Sequence, residues 1–201
     1  MVTTGNGTSE FRRLNAFSKH YNGEKVLWFP EQVKYSHFRR RSKFPNQKIG
    51  GLDALEVLTV YPGYNKKLHR YLFIIDREHF GENPTNDIIE KLKRLGIVIG
   101  SIKELNIGAF YILCKDGPHE LGVYIAISGK TKYIEEDLAT LIKLEYNSDV
   151  DPTKSDIIGF LRSKGLKDKE LIRNATKTNL RNAFPNLSSA LMKIEKNNSE
   201  S

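Results

Sequence analysis

Two carboxylates directly follow an apolar run near the middle of the chain. Leu72-Phe73-Ile74-Ile75 is followed by Asp76-Arg77-Glu78. An uninterrupted apolar run of this kind is typical of a strand that is buried on both faces of a sheet. Alternate strand positions project to the same side, so Asp76 and Glu78 are predicted to lie close together. Because close carboxylates repel each other unless a cation lies between them, the pair predicts a Mg²⁺ or Mn²⁺ site. The alternative is a solvated turn after a core strand.

A basic segment with aromatic neighbours is the second stretch whose residue types suit chemistry. It contains Arg39, Arg40, Arg41, Lys43 and Phe44. Guanidinium groups bind phosphates in a bidentate manner, and aromatic rings stack on unpaired bases. Consecutive arginines also repel one another when no anionic partner is present. The segment therefore predicts contact with nucleic acid, either DNA or RNA, and the alternative is a solvated loop whose rings dock on the core.

The charge of the chain is unevenly distributed. The net charge is +8, and residues 1–50 hold ten Lys and Arg against three acids. Residues 151–201 hold ten against six, whereas residues 101–150 hold five against eight. An acidic centre between basic ends suits a metal-dependent enzyme that acts on a polyanion.

Cysteine content and hydropathy limit the class of protein. The single Cys114 excludes an internal disulfide and a zinc cluster built on several cysteines, which makes a reducing compartment the default. No apolar run approaches the roughly 20 residues that span a bilayer, and the N-terminus lacks the features of a signal peptide. The sequence thus predicts a soluble cytoplasmic protein with no membrane partner, and it leaves a homodimer open.

Strand and helix patterns alternate along most of the chain. Strands are predicted over residues 25–29, 70–75, 109–114 and 121–128, with helices over 52–60 and 87–95 and a third ending near 144. This order predicts an α/β fold with a mostly parallel sheet flanked by helices, Toprim-like or Rossmann-like. We expect a flexible basic arm over 1–24, the α/β core over 25–146, and a small helical C-terminal extension over 154–196.

The order of these motifs resembles the Toprim family, which includes topoisomerases, bacterial primases, recombination-repair proteins and OLD-family nucleases. The resemblance covers about residues 25–145 and is nearest to small archaeal and bacterial proteins like the OLD nucleases. Glu31 matches the family's strand-end Glu, Gly51-Leu-Asp53 resembles its helix opening, and Asp76-x-Glu78 takes the place of its Asp-x-Asp. The segment 133–137 is similar to an acidic segment on a late helix of these proteins.

The resemblance implies a Mg²⁺-dependent or Mn²⁺-dependent nuclease. Glu31, Asp76 and Glu78 would be the catalytic residues and would hold the metal, with Glu135 as a further ligand. Glu31 could instead act as a general acid or base. The alternative is a non-catalytic nucleic-acid-binding or regulatory protein on a degenerate core. Two features favour this alternative: aligning residues 49–51 with the family's Glu-Gly pair would put Gly50 in place of the Glu, and the second acid of the pair is Glu78, not Asp. The clustering of acids at the ends of buried strands favours the nuclease.

Overall fold

Five strands form one mixed sheet with helices on both faces. The computed structural model describes residues 2–4, 8–21, 51–59 and 69–199. The strands are β1 (Val2–Thr4), β2 (Arg70–Asp76), β3 (Val98–Asn106), β4 (Ala109–Asp116) and β5 (His119–Ser128). Their order across the sheet is β1-β2-β5-β4-β3.

The strand directions confirm an α/β fold and correct the predicted mostly parallel sheet. The pairs β1–β2 and β2–β5 are parallel, whereas β5–β4 and β4–β3 are antiparallel. The short β3–β4 and β4–β5 connections cause this difference, because strands joined by so few residues can only pair antiparallel. Gly108 and Gly117 take positive φ values of 91° and 56° in these turns, a conformation that glycine adopts without steric cost.

Seven α-helices and two short 3₁₀ helices lie wholly within the described ranges, and residues 57–59 are also α-helical. The α-helices are α1 (Thr8–Tyr21), α2 (Pro84–Arg94), α3 (Ile134–Tyr146), α4 (Lys154–Ser163), α5 (Asp168–Asn174), α6 (Lys177–Ala183) and α7 (Pro185–Ser199). The 3₁₀ helices span Gly51–Glu56 and Arg77–His79. Across these ranges, no helix combines the length and apolarity needed to cross a membrane.

The sheet separates two apolar cores. Because side chains alternate along a strand, Leu72 and Ile74 of β2 face one core while Phe73 and Ile75 face the other. The first core is closed by α1 and by α3 to α7, and the second by α2 and residues 51–58. Both faces of β2 are therefore covered, as its uninterrupted apolar sequence predicts.

The N-terminal region differs from the predicted flexible arm over 1–24. Strand β1 pairs with β2, and α1 buries Leu14, Phe17 and Tyr21 in the first core. The Phe17 ring lies edge-on to Phe184, with centroids 4.9 Å apart. These apolar residues recur at helical spacing and form one stripe, which packs against the apolar side chains of the first core. Residues 2–4 and 8–21 are thus part of the fold.

The C-terminal region is helical, but its helices belong to the same core as the sheet. Leu171, Leu180 and Leu191 share one cluster with Leu72 and Tyr124 of the central strands. Helix α7 also lies against β3, β4 and β5. The predicted extension over 154–196 is therefore a layer of the α/β fold.

Strand β3 is absent from the sequence prediction. It lies at the edge of the sheet, is mostly exposed or half-buried, and contains two register irregularities against β4. An edge strand of this kind needs few apolar residues, so it lacks the pattern by which a strand is predicted. The strand predicted over 25–29 lies outside the described residues.

Candidate functional site

The carboxyl ends of β2 and β5 meet at one edge of the sheet. The two strands are parallel, and Asp76 lies opposite Ser128 at their last paired position. Helix α3 begins shortly after β5, so its first turn lies at the same edge. In open α/β sheets, ligands bind outside the carboxyl ends of the strands. The position of the Asp76 and Glu78 pair therefore identifies this edge as the candidate site.

The Asp76 carboxylate is held by two hydrogen bonds. Its Oδ1 accepts one from the Ser128 hydroxyl at 2.8 Å and another from the Ile134 backbone N–H at 3.1 Å. The second donor is in the first turn of α3, where the helix dipole favours a negative charge. Asp76 is thus oriented by a neighbouring strand and by a helix that follows it by more than fifty residues.

Glu78 lies beside Asp76 for a different reason than the sequence suggested. Strand β2 ends at Asp76, and Glu78 is in the 3₁₀ helix Arg77–His79, so strand alternation does not place it. The pKa of the Tyr133 phenol is raised, chiefly by the charge of Glu78, with Asp76 adding to the effect. Both carboxylates therefore lie near enough to the Tyr133 phenol to act on it electrostatically.

Asp137 is the third carboxylate of this edge. Its side chain is buried, and its Oδ2 accepts a hydrogen bond from the Gly129 backbone N–H at 2.9 Å. Burial, together with the nearby charges of Glu136 and Asp76, raises the pKa of Asp137 to about 7. Of the three acids at 135–137, this one lies on the buried stripe of α3 with Ile134 and Leu138, which is the signal that could have identified it.

Glu135, the predicted additional metal ligand, has a cationic partner. Arg13 Nη2 lies 3.7 Å from Glu135 Oε1, and Arg13 Nε donates to Asp168 at 3.0 Å. Arg13 is almost fully buried, so it joins α1, α3 and α5 from inside the fold. This contact gives Glu135 a structural role in helix packing.

Glu136, in the first turn of α3, directs its carboxylate to the loop between β5 and α3. Its carboxylate accepts hydrogen bonds from the backbone N–H groups of Lys130, Thr131 and Lys132 and from the Thr131 hydroxyl. Burial alone would raise the pKa of Glu136, but these hydrogen bonds outweigh it and the pKa is lowered. Backbone amides that could have surrounded a phosphate are therefore already satisfied by the protein's own carboxylate.

A cavity of about 570 Å³ adjoins this edge. Its walls come from the β5–α3 loop, the β3–β4 turn, the region between β2 and α2, and the start of α7. The side chains that line it and bear on function are Arg77, Glu82, Glu104, Ile107, Lys130 and Asp137. Asp137 therefore belongs both to the acidic edge and to the cavity.

The remaining predicted residues either lie outside the described residues or contribute to packing. Glu31, Arg39, Arg40, Arg41, Lys43 and Phe44 all lie outside the described residues. Asp53 of the Gly51-Leu-Asp53 opening accepts from Lys91 Nζ at 2.6 Å, so it joins the 3₁₀ helix to α2. Gly51 packs against the residue after the acid pair, because a Cβ atom there would lie 2.6 Å from His79 Cγ.

Comparison with known proteins gives no relative. No family model, curated protein or solved structure matches this chain. Function is therefore inferred from the chemistry of the site, because a fold class alone does not determine function.

The acid pair supplies two carboxylates of the kind that bind Mg²⁺. Among the described residues, no group of three or more His, Cys, Asp and Glu side chains is arranged to hold a metal ion. Mg²⁺, however, usually keeps several waters and is bound through one or two carboxylates plus phosphates of the substrate. Asp76 and Glu78 fit this mode of binding, which would also offset the mutual repulsion of the carboxylates at this edge.

The buried Asp137 should make the stability of the protein pH-dependent. Its pKa is raised from 3.8 to about 7, so the native state holds this proton more tightly than the unfolded state. The contribution to stability is therefore complete below about pH 4 and is lost as pH rises toward 7 and above. In EDTA, we expect the free energy of unfolding to fall by about 2 kcal/mol from this group between pH 5.5 and pH 8.

Urea unfolding of Asp137→Asn at both pH values checks this expectation. The amide can still accept from the Gly129 N–H but does not titrate, so the variant should lose most of the decrease. Asp116→Asn, near the opposite end of the sheet, is the matched control and should keep the wild-type decrease. An unchanged decrease in Asp137→Asn would contradict the prediction.

Proposed function

We propose that this protein is a metal-dependent nucleic-acid-processing enzyme, a nuclease that hydrolyses phosphodiesters, built on a Toprim-like α/β domain. The observation that carries the proposal is the cluster of Asp76, Glu78 and Asp137 at the carboxyl edge of β2 and β5. The cluster adjoins a cavity that is also lined by the cations Arg77 and Lys130. Carboxylates for a metal and cations for a phosphate thus lie side by side.

The roles of the residues follow from their contacts. A bound Mg²⁺ or Mn²⁺ ion would supply Lewis-acid stabilisation of the phosphodiester under attack. Asp76 and Glu78 would hold that ion, and the bonds from Ser128 and Ile134 would keep Asp76 in one orientation. Lys130 would bind a phosphate oxygen, since its charge lies close enough to Asp137 to influence its pKa.

Exposed cations on the C-terminal helices support a polyanionic substrate. Seven exposed Lys and Arg side chains lie on or beside α4, α5 and α6, namely Lys154, Arg162, Lys164, Lys167, Arg173, Lys177 and Arg181. Such groups attract nucleic acid without regard to sequence and make its binding salt-dependent. The contact predicted for Arg39 to Phe44 would add to this attraction.

A non-catalytic nucleic-acid-binding protein is the second candidate. Strand β1, the parallel neighbour of β2, ends at Thr4 opposite Phe73, so this strand ends in no acid of the kind that ends β2. The described residues also provide only two carboxylates suited to direct metal binding, as set out above. This candidate shares the basic surface with the first and differs from it in lacking cleavage.

Cleavage of labelled DNA and RNA tests the proposal. Single-stranded and double-stranded substrates are incubated with Mg²⁺, Mn²⁺ or EDTA and the wild type, Glu78→Gln or Glu120→Gln. We expect cleavage that requires metal and is slowed at least about tenfold by Glu78→Gln, since even residues that support metal ligands are worth about that much. Glu120 is exposed near the start of β5, away from the site, so Glu120→Gln should behave as wild type.

The other outcomes decide between the candidates. Salt-sensitive binding without cleavage under any metal condition would overturn the enzyme and support the second candidate. Absence of both binding and cleavage would overturn both candidates.

A further inference from the structure

The cavity beside the acid pair is large enough to be a binding site of its own, and we propose that it takes one unpaired nucleotide. The substrate class of the site would then be single-stranded nucleic acid or an unpaired end, with the base in the cavity and its phosphate beside Asp76 and Glu78. This inference rests on the proposed function and specifies its substrate.

The size of the cavity and the number of chain segments that line it favour a single unstacked base. Its volume of about 570 Å³ lies within the range of pockets that hold small organic ligands. Residues from four separate parts of the chain line it, including the β3–β4 turn and the start of α7. A base within a duplex must leave its stack to enter a pocket of this kind, whereas an unpaired base has less to lose.

One side of the cavity is apolar. Phe110 and Leu187 are buried and contribute to its lining, and Ile107 lies in the β3–β4 turn with 88% of its surface exposed. An exposed isoleucine beside a concavity offers a surface on which a flat ring can pack. Burial of apolar surface on both partners would favour this contact.

The other side of the cavity carries charges of both signs. Arg77 and Lys130 can bind phosphate oxygens, whereas the carboxylates of Glu82 and Glu104 can accept hydrogen bonds from amino groups of a base. A nucleotide combines an anion, a flat ring and N–H donors in one molecule. Inorganic phosphate would leave the apolar side and the carboxylates without contacts.

Asn186 at the start of α7 adds a hydrogen-bonding group to the cavity lining. Its Nδ2 donates to the Ile127 carbonyl at 2.9 Å, while its buried Oδ1 has no hydrogen-bond partner. Gly108 permits this arrangement, because a Cβ atom there would lie 2.8 Å from Asn186 Nδ2. Buried acceptors are normally satisfied, but this Oδ1 has almost no accessible surface, so an N–H group of a ligand would reach it only after the Asn186 side chain rotates.

Binding measurements in EDTA test the cavity independently of cleavage. The probes are a fluorescent single-stranded DNA 12-mer and a blunt hairpin duplex, with AMP and inorganic phosphate as competitors. We expect Ile107→Asp to weaken single-strand binding about tenfold, since burial of an isoleucine side chain contributes on this scale. Val98→Asp is the matched control, because Val98 is 65% exposed but at the far end of β3. AMP should compete with the 12-mer at concentrations at which phosphate does not.

Three results would overturn the inference: Ile107→Asp binding as tightly as Val98→Asp, the duplex binding as tightly as the single strand, or phosphate competing as well as AMP. Failure of the cavity and failure of the enzyme remain distinguishable. Metal-dependent cleavage lost in Glu78→Gln, together with unchanged binding by Ile107→Asp, would remove the cavity and keep the nuclease. The expected binding results with no cleavage of any substrate would remove the nuclease and keep a nucleotide-binding cavity.

Discussion

Replacing Asp76 by Asn should reduce metal-dependent cleavage by about 100-fold or more while the protein stays folded. The amide oxygen can still accept from the Ser128 hydroxyl and the Ile134 N–H, so the packing of α3 is kept. The lost negative charge, however, weakens a direct metal ligand, and even residues that only support such ligands contribute 10-fold to 100-fold. Initial cleavage rates over a range of Mg²⁺ concentrations, with circular dichroism of the same samples, measure both effects.

Asp76→Ala separates the structural from the catalytic role of this carboxylate. Alanine removes the acceptor as well as the charge, so we expect the free energy of unfolding to fall by about 1–3 kcal/mol relative to Asp76→Asn. Both variants should be equally inactive at a temperature at which both are folded. Full cleavage activity in Asp76→Asn would contradict the metal site, and equal stability of the two variants would contradict the capping of α3.

Replacing Phe17 by Ala should destabilise the whole domain by about 3–5 kcal/mol. Phe17 has no solvent exposure, and its ring packs against Phe184 in the core between α1 and the C-terminal helices. Truncation would leave a cavity in a core shared by both ends of the chain. Since small domains are commonly stable by only 5–15 kcal/mol, urea unfolding should detect a large shift of the midpoint.

Phe160→Ala is the matched control for this substitution. Phe160 is only half-buried and packs against Tyr146 at a centroid distance of 5.6 Å, so its truncation should cost clearly less. A flexible N-terminal arm predicts the opposite order, with no effect of Phe17→Ala. That result would contradict the packing of α1 described here.

Local pattern was sufficient for the elements near the middle of the chain. The apolar run of β2, the apolar stretches of β4 and β5, and the apolar stripe of α2 were predicted close to their observed bounds. In each, the residues that form the element also carry its signal, because the period of the apolar positions matches the geometry of the strand or helix. Strand β3 lacks such a period, since an exposed edge strand buries little, and it was missed.

Residue type alone selected part of the candidate site. Asp76 and Glu78 were selected because two acids follow a buried strand, and Asp76 lies at the carboxyl end of the parallel β2–β5 pair in the structure. The contacts that these acids make with other parts of the chain could not be predicted from residue type. Asp137 lies on the buried face of α3 and Glu135 does not. Which of these acids belongs to the site is therefore known only once the buried face of the helix is known.

By itself, the sequence determined the α/β class, the central strand with its acid pair, and the charge of the termini. The tertiary structure decided the strand directions, the place of α1 in the core, and the meeting of Asp76 with Ser128 and Ile134. These features depend on contacts between residues far apart in the chain, such as β2 with β5 and Phe17 with Phe184. Such contacts form because distant apolar surfaces are buried together, and no local period encodes which surface meets which.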